Sequence, residues 1–77
     1  MAVKIYSTLY CPWCKKTKGF LKAHKVKFTD VDVSKNVKAG EEMVKKSGQM
    51  GVPVIDVNGT IIVGFDEWKL RKVLKIE

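Results

Sequence analysis

Cys11 and Cys14 stand three apart as Cys11-Pro12-Trp13-Cys14, and the chain holds no other cysteine. Two thiols cannot build a disulfide framework or a four-sulfur zinc site, so the pair acts on its own. Pro12 suits the first turn of a helix, where its missing N–H would have no partner anyway. A thiol at such a helix start faces free backbone N–H groups and the positive end of the helix dipole. A dipole contribution of ~0.5 to 2 kcal/mol, helped by Lys15 and Lys16, lowers a thiol of pKa ~8.5 by roughly one or two units. Cys11 is then substantially thiolate at neutral pH and can attack a disulfide, while Cys14, one turn inside the helix, releases the product by attacking Cys11. A purely structural crosslink fits less well, because so small a loop gives only ~2 kcal/mol against ~4.7 for a hundred-residue loop. Zinc would need further ligands, and the single histidine, His24, lies ten residues from Cys14 and reads as a surface residue at a helix end.

The elements that hold this pair follow from periodicity. Val3, Ile5 and Tyr6 read as a first strand ending just before the cysteines; Cys14, Thr17, Phe20, Leu21 and His24 recur at helical spacing after them. Val26 to Val33 alternates as a second strand. A second helix runs from about Val37 to Ser47, capped by Ser34 or Asn36 and stopped at Gly48. Val52 to Val57, Asn58-Gly59, then Thr60 to Val63 predicts a hairpin, because Asn-Gly supplies both positive φ angles of a two-residue turn. Asp66 caps a last helix with Leu70, Val73 and Leu74 on one face, and Phe65 before the cap can staple onto Leu70. The order is β-α-β-α-β-β-α, an α/β fold with a parallel β-α-β unit and an added antiparallel hairpin. Tyr10 and Trp13 fit the buried face of the first helix poorly and read as the rim of a site. Trp68, off the last helix's apolar stripe, reads as a boundary residue.

Length and composition set the outer limits. Seventy-seven residues bury only roughly 60 to 65% of their unfolded surface, so a single domain over residues 1–77 is expected. Apolar residues at 45% and charged residues at 30%, with two prolines and six glycines, exclude collagen-like and disordered classes. The longest apolar stretch, Ile61 to Phe65, falls far short of the ~20 residues that cross a bilayer, and no targeting segment or membrane partner is expected. The formal net charge of +7 attracts anionic groups. Fourteen of the fifteen basic residues are lysine, whereas base reading favours Arg, Asn and Gln, so no nucleic-acid partner is expected.

A C-x-x-C at a strand-to-helix turn is a redox signature. Through Cys11-Pro12-Trp13-Cys14, Gly51-Val52-Pro53 and Gly64-Phe65-Asp66 the chain resembles the glutaredoxin family of the thioredoxin fold. It is similar to the short bacterial and archaeal members and to the related redoxins that serve ribonucleotide reductase. The resemblance implies a four-stranded mixed sheet flanked by helices. It also implies a cis Val52-Pro53 bond beside the cysteines, Val52 offering backbone groups to the substrate's cysteine segment and Pro53 shaping the site. Sequence alone leaves that bond cis or trans.

Together with Cys11 and Cys14 as catalytic thiols, the substrate-binding set is then Tyr10, Pro12, Trp13, Val52, Pro53, Gly64, Phe65 and Asp66. The implied protein is a monomeric cytoplasmic dithiol-disulfide oxidoreductase with no bound cofactor or metal, acting on disulfide-containing proteins or glutathione mixed disulfides. Its reductant is glutathione, a possible co-substrate, or thioredoxin reductase. Thr8 stands where glutathione-using members carry a basic residue, Phe65 replaces a glycine, and Trp68 stands where an aspartate is usual. Gly64-Phe65 matches the ribonucleotide-reductase redoxins, whose Arg-Pro is here Asp66-Glu67. Two other classes compete: a non-catalytic basic binding module with incidental cysteines, and an iron–sulfur cluster shared between two chains through Cys11.

Overall fold

A computed structural model of the protein describes residues 2–76. The elements are β1 (Val3–Ser7), α1 (Pro12–Ala23), β2 (Thr29–Asp32), α2 (Val37–Ser47), β3 (Val54–Val57), β4 (Thr60–Val63) and α3 (Glu67–Leu74). The strands form one sheet in the order β2-β1-β3-β4. β1 runs parallel to β2 and antiparallel to β3, with Ile5 opposite both Asp30 and Ile55, and β3 and β4 form the antiparallel hairpin.

Alternation along the strands decides which helix covers which face. Val3, Ile5, Ile55, Val57 and Ile62 point to one side and bury against Leu21 of α1 and Leu70 and Leu74 of α3. Tyr6 and Val54 point to the other and meet Ala39 and Met43 of α2. Each such fully buried side chain contributes about 1.5–3 kcal/mol by leaving water. Tyr6 is buried with its hydroxyl donating to Glu42, and Lys46 Nζ donates to that hydroxyl at 3.1 Å and to Asp56 at 2.7 Å. A phenol can sit in this core because its one polar atom is satisfied.

The helix ends follow local chemistry. Asn36 caps α2 by accepting the Ala39 N–H at 3.0 Å, and Gly48, at φ 73°, closes it. Asp66 caps α3 by accepting the Lys69 N–H at 3.1 Å. Asn58 and Gly59, at φ 51° and 94°, make the hairpin turn.

Three expectations are corrected. β2 begins at Thr29, not Val26, because the Val26 N–H is spent on the Leu21 carbonyl at 2.9 Å, closing the end of α1. β3 begins at Val54, not Val52, since Pro53 has no N–H for the ladder; its carbonyl still accepts the Gly64 N–H at 2.8 Å. His24 stands at the C-cap of α1 as expected, partly covered, its ring 4.5 Å from that of Phe20 one turn earlier. Trp68 is not a boundary residue: it is 80% exposed.

Candidate active site

Cys11 is the N-cap residue of α1, extended at φ −108° and ψ 108°, and Pro12 opens the helix. In that position Cys11 Sγ accepts the Cys14 N–H at 3.0 Å, the bond a serine or aspartate oxygen makes at other helix starts. The two cysteines form a disulfide with Cα atoms 5.1 Å apart. Cys14 is fully buried, whereas Cys11 keeps 8% of its surface in contact with solvent. The asymmetry sets the roles: of the two residues only Cys11 retains any surface in contact with solvent.

The loop from β3 and the start of α3 converge on this end of α1. Trp13, Val52, Pro53, Gly64 and Phe65 line an open hollow of about 240 Å³. The Val52-Pro53 bond is cis, and Gly64 takes φ 77°, a conformation that favours glycine. Phe65 turns inward from the residue before the α3 cap, its ring centroid 6.3 Å from Trp13 and 5.8 Å edge-on from Phe20. Such aromatic pairs contribute about 0.5–1.5 kcal/mol beyond the area they bury. Phe65 also packs against the cluster that contains Leu70, the partner expected of a staple. Lys16 Nζ stands 4.8 Å over the Trp13 ring.

Tyr10 and Trp13 are both exposed, at 90% and 55%. Trp13 lines the hollow and Tyr10 does not. Asp66 is half-buried behind Phe65, its carboxylate occupied by the Lys69 N–H. Two residues read from the sequence only as positions on the face of the first helix support the site. Phe20 carries the inner side of the Phe65 ring; its spacing of seven from Trp13, two helical turns, places both on one side of α1. Thr17, fully buried, donates its hydroxyl to the Trp13 carbonyl at 2.8 Å, which satisfies its polar atom directly beneath the C-x-x-C turn. Among the described residues no group of three His, Cys, Asp or Glu is placed to hold a metal ion, and no helix is long and apolar enough to cross a membrane.

A paired C-x-x-C at a helix start, beside a cis-proline loop on a four-stranded mixed sheet, defines a thiol-disulfide oxidoreductase of thioredoxin-like fold. The glutaredoxin family model matches residues 3–62. A glutaredoxin-like 8.6 kDa protein encoded in a rubredoxin operon of Clostridium pasteurianum is 51% identical over 73 residues, covering 95% of this chain and 97% of its own. Glutaredoxin 3 of Escherichia coli is 35% identical over 65 residues, 84% of this chain and 78% of its own. The crystal structure of a glutaredoxin from Archaeoglobus fulgidus superposes with a TM-score of 0.89 at 32% identity, over 97% of this chain and 88% of that one. The chain belongs to the glutaredoxin family.

Proposed function

We propose that the protein is a dithiol electron carrier that reduces disulfides of other proteins, with Cys11 as nucleophile and Cys14 as resolving thiol. The observation that carries this reading is the Cys14 N–H directed at Cys11 Sγ, 3.0 Å away, at the positive end of α1. A donor and a dipole aimed at one sulfur favour its anion. The Cys11 thiolate attacks one sulfur of the substrate disulfide, forming a mixed disulfide and expelling the other sulfur as thiolate. Cys14, its proton passed to the substrate thiolate just expelled, attacks Cys11 Sγ, forming the Cys11–Cys14 disulfide and expelling the second substrate thiolate. Two electrons from a thiol-class reductant, glutathione or the dithiol of thioredoxin reductase, restore the dithiol. No bound cofactor takes part.

Val52, beside Pro53 in the hollow, offers backbone groups to an extended substrate segment, and Trp13, Phe65 and Gly64 give its neighbouring side chains a wall. Tyr10, 90% exposed, meets the substrate outside the hollow. The 240 Å³ available is below the roughly 300–1,000 Å³ of sites that enclose a small molecule. Phe65 occupies the space a second glycine would leave, so a protein disulfide lying across the surface suits the site better than an enclosed glutathione. The protein works as a monomer in the cytoplasm, where the thiol pool returns such a pair to its reduced state.

Cys11→Ser is expected to abolish insulin disulfide reduction, and Cys14→Ser to stop the cycle at a mixed disulfide visible as a mass adduct on Cys11. Full activity in Cys11→Ser would overturn the reading. Supplying glutathione with glutathione reductase in one cuvette and thioredoxin reductase in another identifies the donor.

A further inference from the structure

The excess positive charge of the protein gathers on one side, even with Lys18 of α1 paired to Asp30 of β2 at 2.8 Å. Residues 11–25 and 66–76, which contain α1 and α3, hold nine Lys and Arg against Asp66 and Glu67 alone. The other described residues hold six lysines against five carboxylates and are nearly neutral. α1 and α3 pack side by side on the same face of the sheet, opposite α2. Lys15, Lys16, Lys22, Lys69 and Lys72 are exposed there, and among the described residues none has a carboxylate within 4 Å.

An aromatic strip joins this face to the redox pair. From Trp13 it passes to Phe65 and then to Phe20, whose ring has the Arg71 guanidinium carbon 5.3 Å from its centroid. Beyond lies a second hollow, of about 790 Å³, lined by Trp68, Arg71, Lys72, Lys75 and Ile76. Trp68, 80% exposed, gives it an apolar side, and the cations give it a charge.

We infer that the α1–α3 face is the docking surface for an acidic protein substrate, which approaches across both helices and presents its disulfide to Cys11. This rests on the thiol exchange proposed above and specifies its substrate. Positive charge gathered on the side that carries Cys11 orients an anionic partner during encounter and raises its association rate by tenfold or more at low salt. The exposed cations would meet phosphate and carboxylate alike, but a polynucleotide carries no disulfide for Cys11 to attack; the partner that uses both the charge and the redox pair is a protein, and its anionic groups are carboxylates.

The test uses reduced protein in single turnover, followed by Trp fluorescence. Its substrates are three synthetic peptides closed by the same disulfide and flanked by Glu and Asp, by Ser, or by Lys. The acidic peptide is expected to react at least about tenfold faster than the basic one at about 20 mM salt, with the ratio approaching one at about 0.5 M as screening sets in. Lys22→Glu with Lys72→Glu should collapse the ratio, Lys22→Gln with Lys72→Gln should reduce it, and Lys27→Glu with Lys38→Glu, an equal change of net charge away from the face, should reduce it clearly less than the reversal at Lys22 and Lys72 does. Equal rates for all three peptides, or a ratio that survives reversal at Lys22 and Lys72, would overturn the inference while leaving disulfide reduction standing. Failure to react even with the Ser-flanked peptide would overturn both readings. Binding of single-stranded polyuridylate by the same lysines, without any peptide preference, would assign the face to nucleic acid instead.

Discussion

The ring of Phe65 lies 6.3 Å from that of Trp13, bridging the residue before the α3 cap to the third position of the C-x-x-C. Phe65 therefore decides how much room remains beside the cysteines. Phe65→Gly should enlarge the hollow and raise the rate with glutathione mixed disulfides relative to protein disulfides. It should also destabilise the fold by about 2–4 kcal/mol, through lost burial and added chain freedom. The ratio of the two rates, with a urea titration alongside, checks both; an unchanged ratio would mean that Phe65 does not select substrate size.

Glu42 predicts a specific pH dependence. Hydrogen bonds from Tyr6, Lys46 and Lys4 hold its carboxyl at about 2, below its usual 4.5. A carboxyl depressed in the folded state contributes stability that is fully present above about 4.5 and is lost as pH falls toward about 2. Glu42→Gln should lower the melting temperature at neutral pH, and the difference from the parent should shrink between about pH 4.5 and 2. Thermal melts across that range test it. A constant difference would show that Glu42 acts by packing alone.

Asp66→Ala removes the acceptor of the Lys69 N–H and is expected to cost about 1 kcal/mol of stability. Asp66→Asn, which keeps a capping oxygen, should recover most of it. Urea unfolding of the two variants distinguishes capping from a purely electrostatic role.

These contacts show what a linear reading could reach. Pro12 beside Cys11, the Asn58-Gly59 turn and the Asp66 cap act within four residues of themselves, so α1, the hairpin and the start of α3 were legible as sequence. The beginning of β2 was not, because whether Val26 joins a ladder depends on the Leu21 carbonyl, which takes its N–H. Trp68 was misplaced because its surroundings come from how α3 sits, with Leu70 and Leu74 taking the buried side. The bond from the Tyr6 hydroxyl to Glu42 crosses 36 residues; a buried phenol shows in sequence only as an apolar position of β1. The pair Cys11–Cys14 was visible from spacing. The wall that Phe65 and Phe20 build behind Trp13 required the fold.

Thr17→Val keeps the shape of a buried residue and removes the hydroxyl that bonds the Trp13 carbonyl at 2.8 Å. The fold should tolerate it, with a change of about 1 kcal/mol or less because the carbonyl remains available to the helix. The reduction potential should shift as loss of this bond to the i−4 carbonyl alters the bend of the first turn of α1 around Cys14. Redox equilibration with glutathione measures that shift; an unaltered potential would confine Thr17 to packing.

The acidity of Cys11 tests the account most directly. Alkylation of the reduced protein by iodoacetamide, followed against pH with the modified residue located by mass, should give a Cys11 profile whose midpoint lies roughly one or two units below the ~8.5 of an ordinary thiol. Cys14, fully buried, should react far more slowly. A Cys11 midpoint at ~8.5, or a Cys11 no more reactive than Cys14, would contradict it.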